Sequence, residues 1–170
     1  EFDECLDVFD ERIPGTDKAF GLTDLTSMLW RLELAGCDVG DRWPTLAARW
    51  RDHDQLHTTG FLDIHAALAF ATCPDDPGAG RYWAGLDACH RGGASENDET
   101  FDLVVRPVAS AIRAYRAGRY DEVAGDIDRL SSVTHRLGGS IVQRDLLAMT
   151  AREAARRSDR QPRPFEEARP

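Results

Sequence analysis

The spacing of the apolar residues is the feature that most constrains the fold of this chain. Apolar residues recur every three or four positions along almost the whole sequence, and no segment alternates with the period of a strand. The spacing therefore predicts an all-α fold without a sheet. Eight predicted helices are marked, in chain order, by Phe2, Cys5 and Phe9; Leu22, Leu25, Leu29 and Leu32; Trp43, Leu46, Ala47 and Trp50; Phe61, Ile64 and Leu68; Trp83, Leu86 and Cys89; Phe101, Val105, Val108, Ile112 and Tyr115; Val123, Ile127, Leu130 and Leu137; and Val142, Leu146 and Met149.

Glycine, proline and small polar residues predict where these helices begin and end. Gly36 is expected to follow the end of the second helix, and Asp41 is expected to cap the third. The Pro- and Gly-rich stretch Cys73–Gly80 predicts a turn, and Arg91–Asp98 predicts a flexible loop able to cap the sixth helix. Pro107 is expected to kink that helix, because proline lacks the N–H and clashes with the preceding turn.

Charge and composition exclude several classes of protein. The chain has 30 Asp and Glu against 21 Lys and Arg, so its net charge of −9 argues against nucleic-acid binding. No apolar run reaches the ~18 residues of a membrane span. Four cysteines without C-x-x-C spacing are expected to be free thiols in a reducing cytoplasm. Lys18 is the only lysine, and the excess of arginine favours a bacterial source.

One predicted hairpin has the pattern of a tetratricopeptide repeat. In AIRAYRAGRYDEVAGDIDRL, a helix is followed by Gly118 at the turn, by Tyr120, and by a second apolar stripe. The opening stretch EFDECLDVFDERI matches the second helix of another such unit, although Pro107 stands where a large aromatic residue is usual. Because a hairpin of this kind cannot bury its apolar face alone, we expect degenerate hairpins stacked as an α-solenoid. The N-terminal repeat face is then a candidate surface for self-association.

Three strings extend this interpretation. They are LTDLTSMLWRLELAGCDVGDRW at Leu22–Trp43, GFLDIHAALAFA at Gly60–Ala71 and LGGSIVQRDLLAMT at Leu137–Thr150. In this order and spacing, residues 2–157 resemble the C-terminal part of the tetratricopeptide repeat protein 38 family. The resemblance implies a helical repeat domain over residues 1–157, a longer parent protein and no established reaction. Residues 158–170 are expected to form a charged, Pro-containing tail.

Two positions depart from the pattern of that family. The family has a Phe-Asn-Asp run followed by His, where this chain has Phe61-Leu62-Asp63 and then His65. The family has His after Gly-Gly-Ser, where this chain has Ile141. Two polar members of a shared site are therefore apolar here.

The polar residues that remain in these strings are the candidates for binding a ligand or a partner. They are Asp24, Arg31, Asp63, His65, Gln143, Arg144 and Asp145. His65 shares a helix face with Phe61 and Leu68, so it is either a ligand or acid/base group beside Asp63 or Arg144, or a buried and satisfied histidine. Arg144 either adds charge to an anion-binding helix start or forms an ion pair with Asp63 or Asp24.

Other patterns favour structural roles. The string HDQLH at His53–His57 has two histidines four apart, but without a third ligand it favours a solvated helix end over a metal site. Trp30, Trp43, Trp50 and Trp83 stand among leucines and are expected in the core. No arrangement for a nucleophile and no phosphate loop is present. We therefore predict no catalytic residues, no metal and no cofactor.

Two functions are open at this point. The first is a non-catalytic scaffold that presents a concave helical surface to a protein or peptide partner of basic or neutral charge. The alternative is a small-molecule-binding or enzymatic protein that uses a pocket around Asp63, His65 and Arg144. The alternative requires these three side chains to converge around a cavity open to solvent.

Overall fold

α-Helices joined by short turns make up the fold, as seen in a computed structural model that describes residues 2–16, 18–89, 92–93 and 95–159. These residues contain no strand, which confirms the predicted all-α class. The helices are α1 (Phe2–Arg12), α2 (Ala19–Leu34), α3 (Arg42–Arg51), α4 (Gly60–Thr72), α5 (Ala79–Ala88), α6 (Glu96–Thr100), α7 (Arg106–Arg116), α8 (Tyr120–Leu130) and α9 (Ile141–Ser158). Short 3₁₀ helices cover Ile13–Gly15 and Thr134–Leu137.

The predicted helix ends are correct in two places and wrong in a third. Gly36 has a positive φ of 88° at the end of α2, where the Cys37 N–H donates to the Leu32 carbonyl. Ser95 and Asp98 form a reciprocal capping box at the start of α6. Asp41 precedes α3, but its backbone is not extended and its side chain makes no capping hydrogen bond.

Pro107 interrupts the predicted sixth helix in a specific way. The segment Phe101–Val105 between α6 and α7 is π-helical, and the Arg106 N–H donates to the Phe101 carbonyl five residues earlier. Pro107 follows in the first turn of α7, where its missing N–H is tolerated. The expected kink therefore takes the form of a widened turn before the proline.

α4 is the central helix of the molecule. Every residue from Gly60 to Phe70 is buried, and the helix packs against α2, α3, α5 and α7. A helix surrounded on several sides needs apolar residues all round, and GFLDIHAALAFAT supplies them. Asp63 and His65 are the two ionisable residues that this helix carries into the core.

Tryptophan side chains connect helices that are distant in sequence. Trp30 and Trp50 are at most 1% exposed and Trp43 is 4% exposed, as predicted, whereas Trp83 is only half-buried. Trp50 Nε1 donates to Thr26 Oγ1 at 2.9 Å, and Trp30 Nε1 donates to Thr150 Oγ1 at 2.8 Å. The second bond joins α2 to α9.

The packing of α2 against α9 is the main departure from a simple stack. α7 and α8 form the expected hairpin, with Gly118 at a positive φ of 75° in the turn and the rings of Tyr115 and Tyr120 5.4 Å apart. In an open stack each hairpin contacts only its neighbours. Because α2 packs on both α4 and α9, the described structure instead brings the second helix and the ninth helix into contact.

Several predicted stripe positions are not buried. Val142 is 73% exposed and Phe2 is 45% exposed, both in the first turn of their helices. Leu137 lies in a 3₁₀ helix, since α8 ends at Leu130. Residues 160–170, most of the predicted tail, lie outside the described residues. No described helix combines the length and the apolar character needed to cross a membrane.

Candidate functional site

An open groove of about 710 Å³ lies where the N-terminal ends of α2, α4 and α9 meet. We call it the three-helix groove. Its apolar lining comes from Ala19, Phe20, Phe61, Leu62 and Leu137. Its polar lining includes Lys18, His53, Asp54, Gln55, Thr58 and Gln143. The volume is within the ~300–1,000 Å³ that is usual for ligand pockets.

Local sequence explains why two of these helices begin at the groove. Ser140 accepts from the backbone N–H of Gln143, whose side chain accepts from the Ser140 N–H, so α9 begins with a capping box. The Thr59 side chain caps α4. Gly139 has a positive φ of 69°, and a Cβ there would lie 2.6 Å from a ring carbon of Phe61. Glycine at this position lets the Phe61 ring form the boundary of the groove.

Large apolar side chains are exposed at this end of the molecule. Phe20, in the groove lining, is 70% exposed. Ile141 and Val142 are 80% and 73% exposed, and they lie in the chain between the lining residues Gly139 and Gln143. Exposed apolar residues grouped around a concavity are typical of interaction sites.

Asp63 is fully buried and faces away from the groove. Its carboxylate accepts from the backbone N–H of His57 at 2.9 Å and lies 2.7 Å from His57 Nδ1. Tyr82 donates its hydroxyl to the Asp63 carbonyl, and its ring is stacked on His57. Asp63 therefore anchors the loop between α3 and α4, on which His57 has a positive φ of 64°.

His65 faces the opposite side of α4, because two positions along a helix correspond to a rotation of about 200°. Its side chain is buried, with Nδ1 2.7 Å from the Phe61 carbonyl and the two rings 4.6 Å apart. Burial lowers the pKa of His65 to about 4; the hydrogen bond to Phe61 acts in the other direction, and Arg31 adds to the lowering. The ring is therefore neutral at pH 7.

A small cavity of about 10 Å³ adjoins His65. We call it the His65 cavity. Apolar side chains make up most of its lining, which also includes Gln143 and Arg144 of α9. It shares Phe61, Leu137 and Gln143 with the three-helix groove, so the two spaces are neighbours.

The other candidate residues have local partners. Arg31 donates to the Val142 carbonyl at 2.6 Å and lies 3.9 Å from the Asp145 carboxylate. Arg144 donates to the carbonyls of Gly138, at 2.9 Å, and Gly139. It thus holds the start of its own helix, and the expected ion pair with Asp63 or Asp24 does not form. Asp24 is exposed on α2.

The seven candidates therefore do not form one cluster, and Asp24 stands apart on the exposed surface of α2. Arg31, Asp145, Gln143, Arg144 and His65 lie around the contact of α9 with α2 and α4, whereas Asp63 is bound to the α3–α4 loop. The catalytic alternative requires Asp63, His65 and Arg144 to converge around an open cavity, but only His65 and Arg144 line the same cavity, while Asp63 is bound to His57.

Sequence reasoning missed the groove itself. Phe20 and Thr58 belong to no motif, and Gly139 is part of the Gly-Gly-Ser string, which does not reveal its contact with Phe61; the roles of all three depend on three helix ends meeting. The two histidines of the HDQLH string lie in different surroundings, because His53 lines the groove and His57 pairs with Asp63. In the part of the chain that the structure describes, no group of three or more His, Cys, Asp or Glu side chains is placed to hold a metal.

Comparison with protein-family models finds no model that matches this chain. Comparison with solved structures finds no match either. The resemblance to the tetratricopeptide repeat protein 38 family therefore stays a prediction from the sequence.

Proposed function

We propose that this protein is a non-catalytic binding protein and that it holds a short segment of a partner protein in the three-helix groove. The observation that carries the proposal is the exposed Phe20 in the lining of an open groove, together with the exposed Ile141 and Val142, which lie in the chain between the lining residues Gly139 and Gln143. Covering such side chains removes apolar surface from water, which stabilises a complex.

The lining indicates the chemistry of the partner segment. An apolar floor of Phe20, Phe61 and Leu62 suits one large apolar side chain as an anchor. The acidic residue Asp54 lines the groove and is exposed, and the whole chain has a net charge of −9. These charges favour a segment with basic or neutral residues around its anchor, and they act mainly on the rate of association.

Binding is favoured over catalysis by the partners of the polar residues. The carboxylate of Asp63 is occupied by His57, and Arg144 holds backbone carbonyls at the start of α9. Acid/base chemistry needs a donor or acceptor within reach of a substrate. A reaction centred on Asp63, His65 and Arg144 would have to break these contacts first.

Two earlier expectations stay part of this proposal. We infer tetratricopeptide-like pairing for the hairpin of α7 and α8, and the packing of α2 on α9 then turns the repeat array back on itself. We also infer a reducing, cytoplasmic setting, which suits the free thiols of the four cysteines. Self-association through α1, where Phe2 and Val8 are exposed, is a separate prediction.

A peptide selection tests the groove directly. A phage-displayed library of random peptides, about twelve residues long, is selected on the folded chain and depleted on a Phe20→Ser variant. We expect selected peptides to bind the Phe20→Ser variant at least about tenfold more weakly, because the anchor loses its apolar contact. Leu103→Ser is the matched control, since Leu103 is 52% exposed and lies outside the groove lining.

Amide chemical shifts of the ¹⁵N-labelled protein locate the bound peptide. The proposal is supported if the shift changes are confined to the groove lining and the first turn of α9, and if Leu103→Ser binds the peptides as tightly as the wild type. The proposal is wrong if no peptide is selected, if the peptides bind Phe20→Ser with undiminished affinity, or if the shifts map to another surface.

A further inference from the structure

The most unusual polar atom in the described structure is Nε2 of His65. The side chain is 2% exposed, and this nitrogen has no hydrogen-bond partner among the described residues. Nδ1 lies 2.7 Å from the Phe61 carbonyl, which can only accept, so Nδ1 carries the proton and donates. In the neutral ring, Nε2 is then an acceptor with a free lone pair. Buried polar atoms without a partner are rare and need an explanation.

The position of the ring gives this acceptor a direction. Because Nδ1 is turned back to its own helix, Nε2 lies on the other side of the ring, and the His65 side chain lines the His65 cavity together with residues from the first turns of α9. The cavity of about 10 Å³ has room for one group the size of a hydroxyl or a water molecule. Since it shares Phe61, Leu137 and Gln143 with the three-helix groove, the Phe61 ring borders both spaces, and a side chain that enters the cavity from the groove would have to pass this ring.

The surroundings restrict which group can enter. Arg144 lines the cavity and Arg31 acts electrostatically on His65, so a cationic group is disfavoured there. A carboxylate has no proton to donate to Nε2. A neutral hydrogen-bond donor on an apolar body fits both the acceptor and the mainly apolar lining.

We propose that the His65 cavity is the inner end of the three-helix groove and that it receives the hydroxyl group of a tyrosine side chain in the partner segment. This inference rests on the proposed function. The hydroxyls of serine and threonine lie next to the backbone, whereas tyrosine carries a neutral hydroxyl at the tip of a long apolar ring. Phe61 and Phe20 line the groove in which that ring would lie, and the side-chain amide of Gln143 can donate to the phenolic oxygen.

A pair of small probes tests the hydroxyl without any peptide. 4-Methylphenol matches the tyrosine side chain, and 4-methylanisole has a similar shape without the O–H donor. We expect 4-methylphenol to bind the whole chain at least about tenfold more tightly and to shift the ¹⁵Nε2 resonance of His65. A His65→Leu variant should remove this preference, and His135→Leu, at an exposed histidine, should keep it.

The outcomes separate this inference from the proposed function. Equal affinity for the two probes, no binding of either, or an unmoved Nε2 resonance at saturating 4-methylphenol overturns the inference, while peptide binding in the groove would still uphold the proposed function. In the peptides selected on the groove, a tyrosine-to-phenylalanine change should weaken binding at least about tenfold. If that change has no effect, or if a phenol-specific site exists and no peptide is selected, the assignment to a partner tyrosine is wrong.

Discussion

At the scale of single residues, His65 shows how burial sets the protonation of a side chain. Burial lowers its pKa to about 4, below the ordinary value of 6.5. The unfolded chain therefore binds a proton between these two values while the folded chain does not. This difference favours the unfolded state as the pH falls, so the stabilising effect is complete above pH 6.5 and is lost between pH 6.5 and pH 4.

We predict that acid destabilises the protein partly through His65. Between about pH 7 and about pH 4.5, the free energy of unfolding of the wild type should fall by about 2.5 kcal/mol more than that of a His65→Leu variant. Urea denaturation at the two pH values measures the difference. His135→Leu should keep the pH dependence of the wild type, because His135 is exposed. Equal pH dependence in the wild type and in His65→Leu would contradict the prediction.

The limits of sequence reasoning at this scale follow from helix geometry. The burial of Trp30, Trp43 and Trp50 was predictable, because large apolar side chains have few alternatives to the core. The partner of Asp63 was not predictable, because it depends on which neighbour each face of α4 meets. His57 meets Asp63 because the α3–α4 loop folds over that face.

At the scale of elements, the start of α9 depends on one glycine. Gly139 combines a positive φ of 69° with a position where a Cβ would come 2.6 Å from the Phe61 ring. We predict that Gly139→Ala lowers the free energy of unfolding by about 2–4 kcal/mol, from backbone strain together with displacement of the ring. Thermal and urea denaturation measure this loss.

Gly118→Ala is the matched control for that substitution. Gly118 also has a positive φ, 75°, but no atom lies within 4 Å of its Cβ position. The control should therefore show the backbone strain alone, about 1–2 kcal/mol. If the two variants lose the same stability, Phe61 does not depend on Gly139 for its position.

Element positions were more predictable than element boundaries. Apolar spacing located the helices because each of them buries a stripe, and α4 was found although it is buried all round. The apolar spacing predicts that Leu137 belongs to the same helix as Leu130, but α8 ends at Leu130. The π-helical turn before Pro107 was also not predictable. A proline indicates that a helix is interrupted, but it does not indicate which backbone conformation the interruption takes.

At the scale of the whole molecule, the contact between α2 and α9 joins two helices that are far apart in the chain. Stacked hairpins that touch only their neighbours can lose an end while the rest stays folded. Here Trp30 of α2 donates to Thr150 of α9 inside the core, and Glu33 of α2 is paired with Arg116 of α7 at 2.5 and 2.7 Å. Periodicity cannot reveal such contacts, because it gives the buried face of a helix without naming what covers it.

We predict that α2 and α9 open together, and Thr150→Val tests the bond between them. Thr150 and Thr72 each donate their hydroxyl to the carbonyl four residues earlier, but only Thr150 also accepts from a tryptophan. Removing that acceptor leaves the buried Trp30 N–H unpaired, so Thr150→Val should cost about 1–3 kcal/mol in the free energy of unfolding. Thr72→Val should cost only a few tenths of a kcal/mol.

Native-state hydrogen exchange gives the second measurement. If the contact joins the two helices into one cooperative unit, the slowest amides of α2 and α9 exchange with the same opening free energy, and Thr150→Val lowers both values by the same amount. An open repeat array predicts the opposite result, in which α9 exchanges at a much lower free energy than α2 and the substitution affects α9 alone. That result would show that Trp30 and Thr150 touch without coupling the two ends of the fold.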